Sequence, residues 1–248
     1  KEWVMLDIYL IGMAVAAIAI VERSVHRLDA AEAEATSPIC RGPVEFRSRV
    51  ARILHPPSTK RKPLMAKVVV VYHSGYGHTA RVAAKVAEGA GAELLAIDAE
   101  GNLPEGGWEA LSAADAIIFG APTYMGSYSW QFKKFADASS KVWFTRGWQD
   151  KVFGGFTNSA SLNGDKAVTL IGLQTLASQH GGIWVSLGLL PANTKAAART
   201  DVNNLGGSVG LLVQSPSDAG VDEIPQGDLD TAVAYGARVA KVADRLKA

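Results

Sequence analysis

The stretch Lys67-Val-Val-Val-Val-Tyr72-His73-Ser74-Gly75-Tyr76-Gly77-His78-Thr79-Ala80 constrains this chain more than any other. Four valines and a tyrosine in succession predict a strand buried on both faces, as in the interior of a parallel sheet. The run breaks into a short loop of Ser, Gly and Thr, and Arg81 to Gly89 then takes up helical periodicity. Unpaired backbone N–H groups and the positive end of a helix dipole converge at such a junction and make an anion site. Glycine lets the backbone approach a phosphate, and Ser74 and Thr79 add hydroxyl donors. The loop holds no lysine, so it is not the GxxxxGK[ST] nucleotide loop. Its chemistry suits a phosphate monoester.

Strands and helices alternate beyond it. Ala92–Asp98 reads as a second strand, Trp108–Ala114 as a brief helix and Asp115–Gly120 as a third strand. A helix over Ser129–Ser140, a fourth strand over Lys151–Phe156 and a helix from Lys166 to about Gln179 follow. Gly182–Leu187 reads as the fifth strand, and Asp228–Lys247 as the final helix, with Ala232, Tyr235, Val239, Val242 and Leu246 on one stripe. This alternation predicts a doubly wound α/β fold with a parallel sheet and right-handed crossovers. Ligands of such sheets sit beyond the carboxyl ends of the strands. Three loops rich in Ser, Thr, Gly, Asn and Pro, at 73–79, 121–126 and 157–165, follow strands 1, 3 and 4 and open on that one edge.

With 248 residues, 48% hydrophobic, the chain has room for one α/β domain and an extension. The net charge of +1 is uneven: residues 22–64 hold nine Lys/Arg against five Asp/Glu, and residues 65–248 fifteen against seventeen. The near-neutral second part carries no electrostatic footprint for nucleic acid. The single cysteine, Cys40, excludes an intrachain disulfide and suits a reducing, cytoplasmic compartment. With five scattered histidines, no metal site is expected.

Residues 3–21 contain one charge, Asp7, and approach the ~20 residues that cross a bilayer. The basic, proline-punctuated segment 22–64 reads as a linker, and its arginines and lysines would lie on the cytoplasmic side. Two readings stand: a membrane-anchored fusion, or an upstream extension of a domain whose natural start is Met65. A signal-peptide core fits less well, for want of an early basic cluster.

Several motifs together resemble the flavodoxin-like flavoproteins, and within them the WrbA-type NAD(P)H:quinone oxidoreductases and the related NADPH-dependent FMN reductases. They are Ser74-x-Tyr76-Gly77-His78, Pro122-Thr123-x-x-Gly126, Thr175-Leu176-Ala177, His180-Gly181, Gly206-Gly207-Ser208-Val209-Gly210 and Ala234-Tyr235-Gly236. The resemblance runs from about Ala66 to Lys247 and leaves the first sixty-four residues untouched. It implies a five-stranded sheet of order 2-1-3-4-5, bound FMN, NADPH or NADH as co-substrate, a quinone as acceptor, and a homo-oligomer, dimer or tetramer. By resemblance Ser74, Gly75, Tyr76, Gly77, His78 and Thr79 hold the FMN phosphate. Pro122, Thr123, Tyr124, Met125 and Gly126 line the isoalloxazine, and Thr157, Asn158, Ser159, Ala160 and Asn163 meet its pyrimidine edge. His180 is a candidate to face the ring and orient or protonate a quinone, or else a helix-terminal histidine held by the dipole. Asp165 reads as the N-cap of the helix it precedes. Trp143 and Trp148 fit packing or subunit contacts as well as flavin contacts. Residues 188–226 form a long loop expected to close over the site or a neighbouring subunit.

Two features depart from the family pattern. Tyr124 stands where it usually has arginine, and 157–161 replaces its glycine-rich run. Rival readings are a one-electron carrier, a tethered regulatory module, and a dinucleotide fold. The last rests on Gly75-x-Gly77-x-x-Ala80 with Asp98 ending strand 2.

Overall fold

The structure, a computed structural model, describes residues 65–247. The expected anchor at 3–21 and linker at 22–64 lie outside the described residues. Among the described residues no helix is long and apolar enough to cross a membrane.

The valine run forms β1 (Val68–His73), an interior strand of the sheet. Its alternation divides two cores. Val68 and Val70 face α1 (His78–Ala90) and α6 (Gln226–Lys247) on one side. Val69 and Val71 face the aromatic cluster of Phe119, Phe132, Phe135, Trp148 and Phe153 on the other. That second layer is carried by α2 (Gly107–Ala113), α3 (Trp130–Ala138), the short α4 (Ser140–Phe144) and α5 (Lys166–Gln179). Trp148 is fully buried among these rings, so it is a packing residue.

The remaining strands are β2 (Glu93–Ile97), β3 (Ala116–Tyr124), β4 (Ser127–Tyr128), β5 (Val152–Ser159), β6 (Ile183–Trp184) and β7 (Leu211–Gln214). The sheet runs β2-β1-β3-β5-β6, and all pairings are parallel except the β3–β4 hairpin. Two strands run further than the sequence predicts. β3 extends through Pro122 to Tyr124 and β5 through Thr157 to Ser159, because Ala121 and Pro122 continue the ladder opposite Thr157 and Asn158. The site loops therefore start as strand, and the first closes in a two-residue turn with Met125 (φ 48°) and Gly126 (φ 79°) both left-handed.

The fifth sheet position is shared. β6 pairs with Val152–Phe153 of β5, and β7 pairs further along with Phe156–Ser159. The long loop of the sequence reading therefore contains a strand. At the junction Tyr235 of α6, fully buried, accepts the Gly155 N–H (3.0 Å) and donates to the Val185 carbonyl (2.8 Å). Its hydroxyl satisfies two backbone groups that neither β6 nor β7 reaches. Burial pushes its pKa upward, against the opposing pull of the Gly155 N–H and the Arg238 charge.

Candidate functional site

The carboxyl ends of β1, β3, β5 and β7 enclose a cleft of about 520 Å³. Its walls are Ser74, Tyr76, His78 and Thr79; Pro122, Thr123 and Tyr124; Asn158, Ser159 and Ala160; and Ser215, Pro216 and Ser217. The three loops singled out in the sequence do converge, and the segment after β7 adds a fourth side.

The first wall is built for an anion. Ser74 Oγ accepts the N–H groups of Gly77 and Ala80, each at 3.1 Å, which folds the loop onto the start of α1. Gly77 holds φ +90°, a left-handed conformation that suits glycine. Among the described residues, the backbone N–H groups of Tyr76, His78 and Thr79 meet no acceptor. Three donors at the positive end of a thirteen-residue helix suit an anion without a cationic side chain. The His78 ring is engaged elsewhere: Nε2 donates to the Ala219 carbonyl at 3.0 Å and ties α1 to the 215–220 segment.

On the second wall Tyr124 lies over the Gly75 backbone, and a Cβ at Gly75 would sit 2.6 Å from its hydroxyl. Tyr124 meets Tyr76 edge to face, with ring centroids 6.3 Å apart. Tyr76 is 80% exposed and Tyr124 39%, so two phenols stand at the mouth. Burial, then its neighbour Tyr76, raises the Tyr124 pKa. Met125 is fully exposed and does not line the cleft, and Gly126 serves the turn. Behind this wall Thr123 Oγ1 bonds Thr157 Oγ1 and Thr169 Oγ1, both at 2.8 Å. Thr157 is thus fully buried in a hydroxyl chain behind the cleft. Also behind it, buried His73 bonds Ser129 Oγ through Nδ1 at 2.8 Å, and burial lowers its pKa.

The third and fourth walls are tied together. The Asn158 amide donates to Ser215 Oγ at 2.8 Å, and that hydroxyl donates back to Asn158 Oδ1 at 3.1 Å. Asn163 lies beyond the cleft, its carbonyl facing the ammonium of Lys166 at 3.4 Å. The expected cap is not made: Asp165 takes φ 54° and forms no side-chain bond to α5. In that left-handed conformation Asp165 serves the turn, while the buried Lys166 bonds the preceding carbonyls.

His180 is not brought to the site. It ends α5 at the amino-terminal edge of the sheet, where the Gly181 carbonyl pairs with Asp150 just before β5. It is 5% exposed, packs on Trp148 with centroids 4.5 Å apart and bonds Ser139 Oγ at 2.9 Å through Nε2. Ser139 donates its own proton to the Ala136 carbonyl, so His180 carries its proton on Nε2. It holds the helix-terminal position that the sequence offered as its alternative, capping α5 before left-handed Gly181, and burial lowers its pKa. The dinucleotide reading loses its acid in the same way: Asp98 accepts the Asn102 N–H at 2.7 Å and closes its own turn outside the cleft.

Ser215, Pro216 and Ser217 were missed as site residues. Their signal in sequence was the short apolar run Leu211–Val213 before a Ser-Pro-Ser turn.

Comparisons with known proteins agree with this architecture. Residues 69–144 match a model described as flavodoxin domain, and residues 107–196 one described as NADPH-dependent FMN reductase. "Flavodoxin FldP" of Pseudomonas aeruginosa is 68% identical over 184 residues, 74% of this chain and 100% of that protein. An "NAD(P)H dehydrogenase (quinone)" of Sinorhizobium fredii is 32% identical over 201 residues, 73% of this chain and 99% of the relative. The crystal structure of "the flavodoxin, WrbA-like protein" from Agrobacterium tumefaciens superposes with a TM-score of 0.61 at 61% identity, covering 73% of this chain and 98% of that one. With its strand order, its phosphate-type loop and these relatives, the chain belongs to the WrbA-like branch of the flavodoxin-like flavoproteins.

Proposed function

We propose that the chain is an FMN-dependent oxidoreductase that takes reducing equivalents from NADH or NADPH and passes them to a quinone-type acceptor. The observation that carries this reading is the convergence of free backbone donors at Tyr76, His78 and Thr79 with a neutral, hydroxyl-lined cleft on the same sheet edge. The donor set fits FMN: amide N–H groups at a helix N-terminus for the phosphate, and the amide and hydroxyl of Asn158 and Ser159 for the polar edge of the ring system. Bound FMN supplies a ring that accepts hydride and returns two electrons to an acceptor.

The chain's own residues bind and orient. Ser74 shapes the phosphate loop, and Gly77 lets the chain turn into α1. Pro122, Thr123 and Tyr124 form the ring wall, held from behind by Thr157 and Thr169. Asn158, latched to Ser215, fixes the opposite lip. Tyr76 and Tyr124 border the opening through which nicotinamide and quinone exchange. A dimer or tetramer belongs to the same proposal, by analogy with relatives of the family.

A second reading, one-electron carriage between partner proteins, is favoured by the 68%-identical relative named as a flavodoxin. The near-neutral charge of residues 65–248 argues against it, because docking by charge calls for a strongly signed surface. Anaerobic addition of NADH and then NADPH to the FMN-loaded full chain decides between them. Bleaching of the flavin bands by either nicotinamide, reversed by benzoquinone, supports the reductase. Bound FMN that ignores both nicotinamides at saturating concentration supports the carrier.

A further inference from the structure

Lys166 breaks a local rule. It is the first residue of α5, where the helix dipole opposes a positive charge, and it is 1% exposed. A buried ammonium costs free energy unless it is fully bonded. Here it donates to the successive carbonyls of Ser161, Leu162 (2.9 Å) and Asn163 (3.4 Å) and so winds the loop between β5 and α5 around one charge. The loop it closes begins at Asn158–Ala160, which lines the cleft.

The facing lip is anchored by the counter-charge. Asp228, 2% exposed, accepts the Gln214 N–H at 2.9 Å and a two-pronged contact from Arg199 at 2.7 and 3.0 Å. Gln214 in turn donates its side-chain amide to the Ala160 carbonyl at 2.9 Å. Asp228 and Arg199 are also the charges that act on Lys166, with burial the larger influence.

We infer that Lys166 is a positioning residue of the cleft: through the 161–163 carbonyls it sets the lip that meets the ring end of the flavin, opposite the phosphate loop. This rests on the FMN reading, which assigns the ring to that lip. Lys166 does not touch the cleft, so its effect on binding passes through the backbone alone.

The test is the affinity of the full chain for FMN and for riboflavin, read by quenching of flavin fluorescence, in wild type, Lys166→Met and Lys166→Arg. Because the perturbed end is the ring end, Lys166→Met should weaken both ligands by the same factor, about ten- to a hundredfold, the range expected for losing charge-assisted bonds that hold a lip. The FMN-to-riboflavin ratio should stay at its wild-type value. Lys166→Arg, which keeps the cation, should restore affinity. A merely structural lysine lowers the urea midpoint and leaves the affinity of the folded protein unchanged, and that result overturns the inference. So does a loss confined to FMN. Wild type that binds neither flavin refutes the FMN reading itself, a separate outcome. If Lys166→Met does not fold, Lys166→Gln, which keeps one amide donor, is read in its place against the same two criteria.

Discussion

Two glycines fix the helix that follows the Ser74–Gly77 loop. α1 and α6 cross where Gly89 faces Val233 and Gly236 faces Val86; a Cβ on Gly236 would lie 2.0 Å from the Val86 carbonyl oxygen, and one on Gly89 1.9 Å from that of Val233. Ordinary contact begins at 3.4 Å. Gly236→Ala sets two effects against each other. Helix propensity favours alanine by about 0.8–1 kcal/mol. Overpacking costs about 1–3 kcal/mol, toward the upper end where the obstacle is backbone and no side chain can turn aside. The net expectation is a loss of about 1–2 kcal/mol, or about 2–8 °C in Tm for a domain of this size. Urea unfolding should show a lower midpoint with an unchanged slope. A variant more stable than wild type by about 1 kcal/mol would mean that propensity decides, and would refute the close crossing of the helices.

Three further outcomes are expected. Thr123→Val leaves the Thr157 and Thr169 hydroxyls without their shared partner and should cost about 2–4 kcal/mol by urea unfolding, with FMN affinity falling as well; a neutral change would contradict the hydroxyl chain. Gly77→Ala forces a Cβ into a left-handed conformation, 3.0 Å from Val221. It should cost about 1–2 kcal/mol and weaken FMN more than riboflavin, since it sits at the phosphate end. Burial depresses the pKa values of His73 and His180, so the unfolded chain takes up protons first: their contribution to stability is complete above about pH 6.5 and is lost as pH falls below it. Urea midpoints should decline from pH 7.5 to 5, and His73→Gln should flatten the decline; an equally steep slope in that variant would clear His73 of the effect.

The alternation of buried valines, the loop after them and the periodic helices were legible in the sequence because each is a local pattern. Lys166–Gln179 falls on the expected bounds for that reason. What escaped depended on distant partners. β7 is four residues long and reads as loop until β5 is there to pair with it, and with it went Ser215–Ser217. His180 sits in a family motif next to glycine, but only the sheet's polarity tells which edge it occupies. Asp165 has the right residue type for a cap and the wrong backbone conformation, which composition does not encode. Thr157 belongs to the expected wall but faces the hydroxyl chain behind it and not the cleft, since one residue along a strand reverses the face.

The central claim is that the cleft at the carboxyl edge of the sheet holds FMN by its phosphate. Equilibrium titration of the full chain with FMN and with riboflavin, followed by flavin fluorescence with inorganic phosphate as competitor, tests it most directly. The account predicts one FMN per chain, clearly weaker binding of riboflavin, and competition by phosphate against FMN only. Absence of FMN binding, or equal affinity for both flavins with no effect of phosphate, would contradict it.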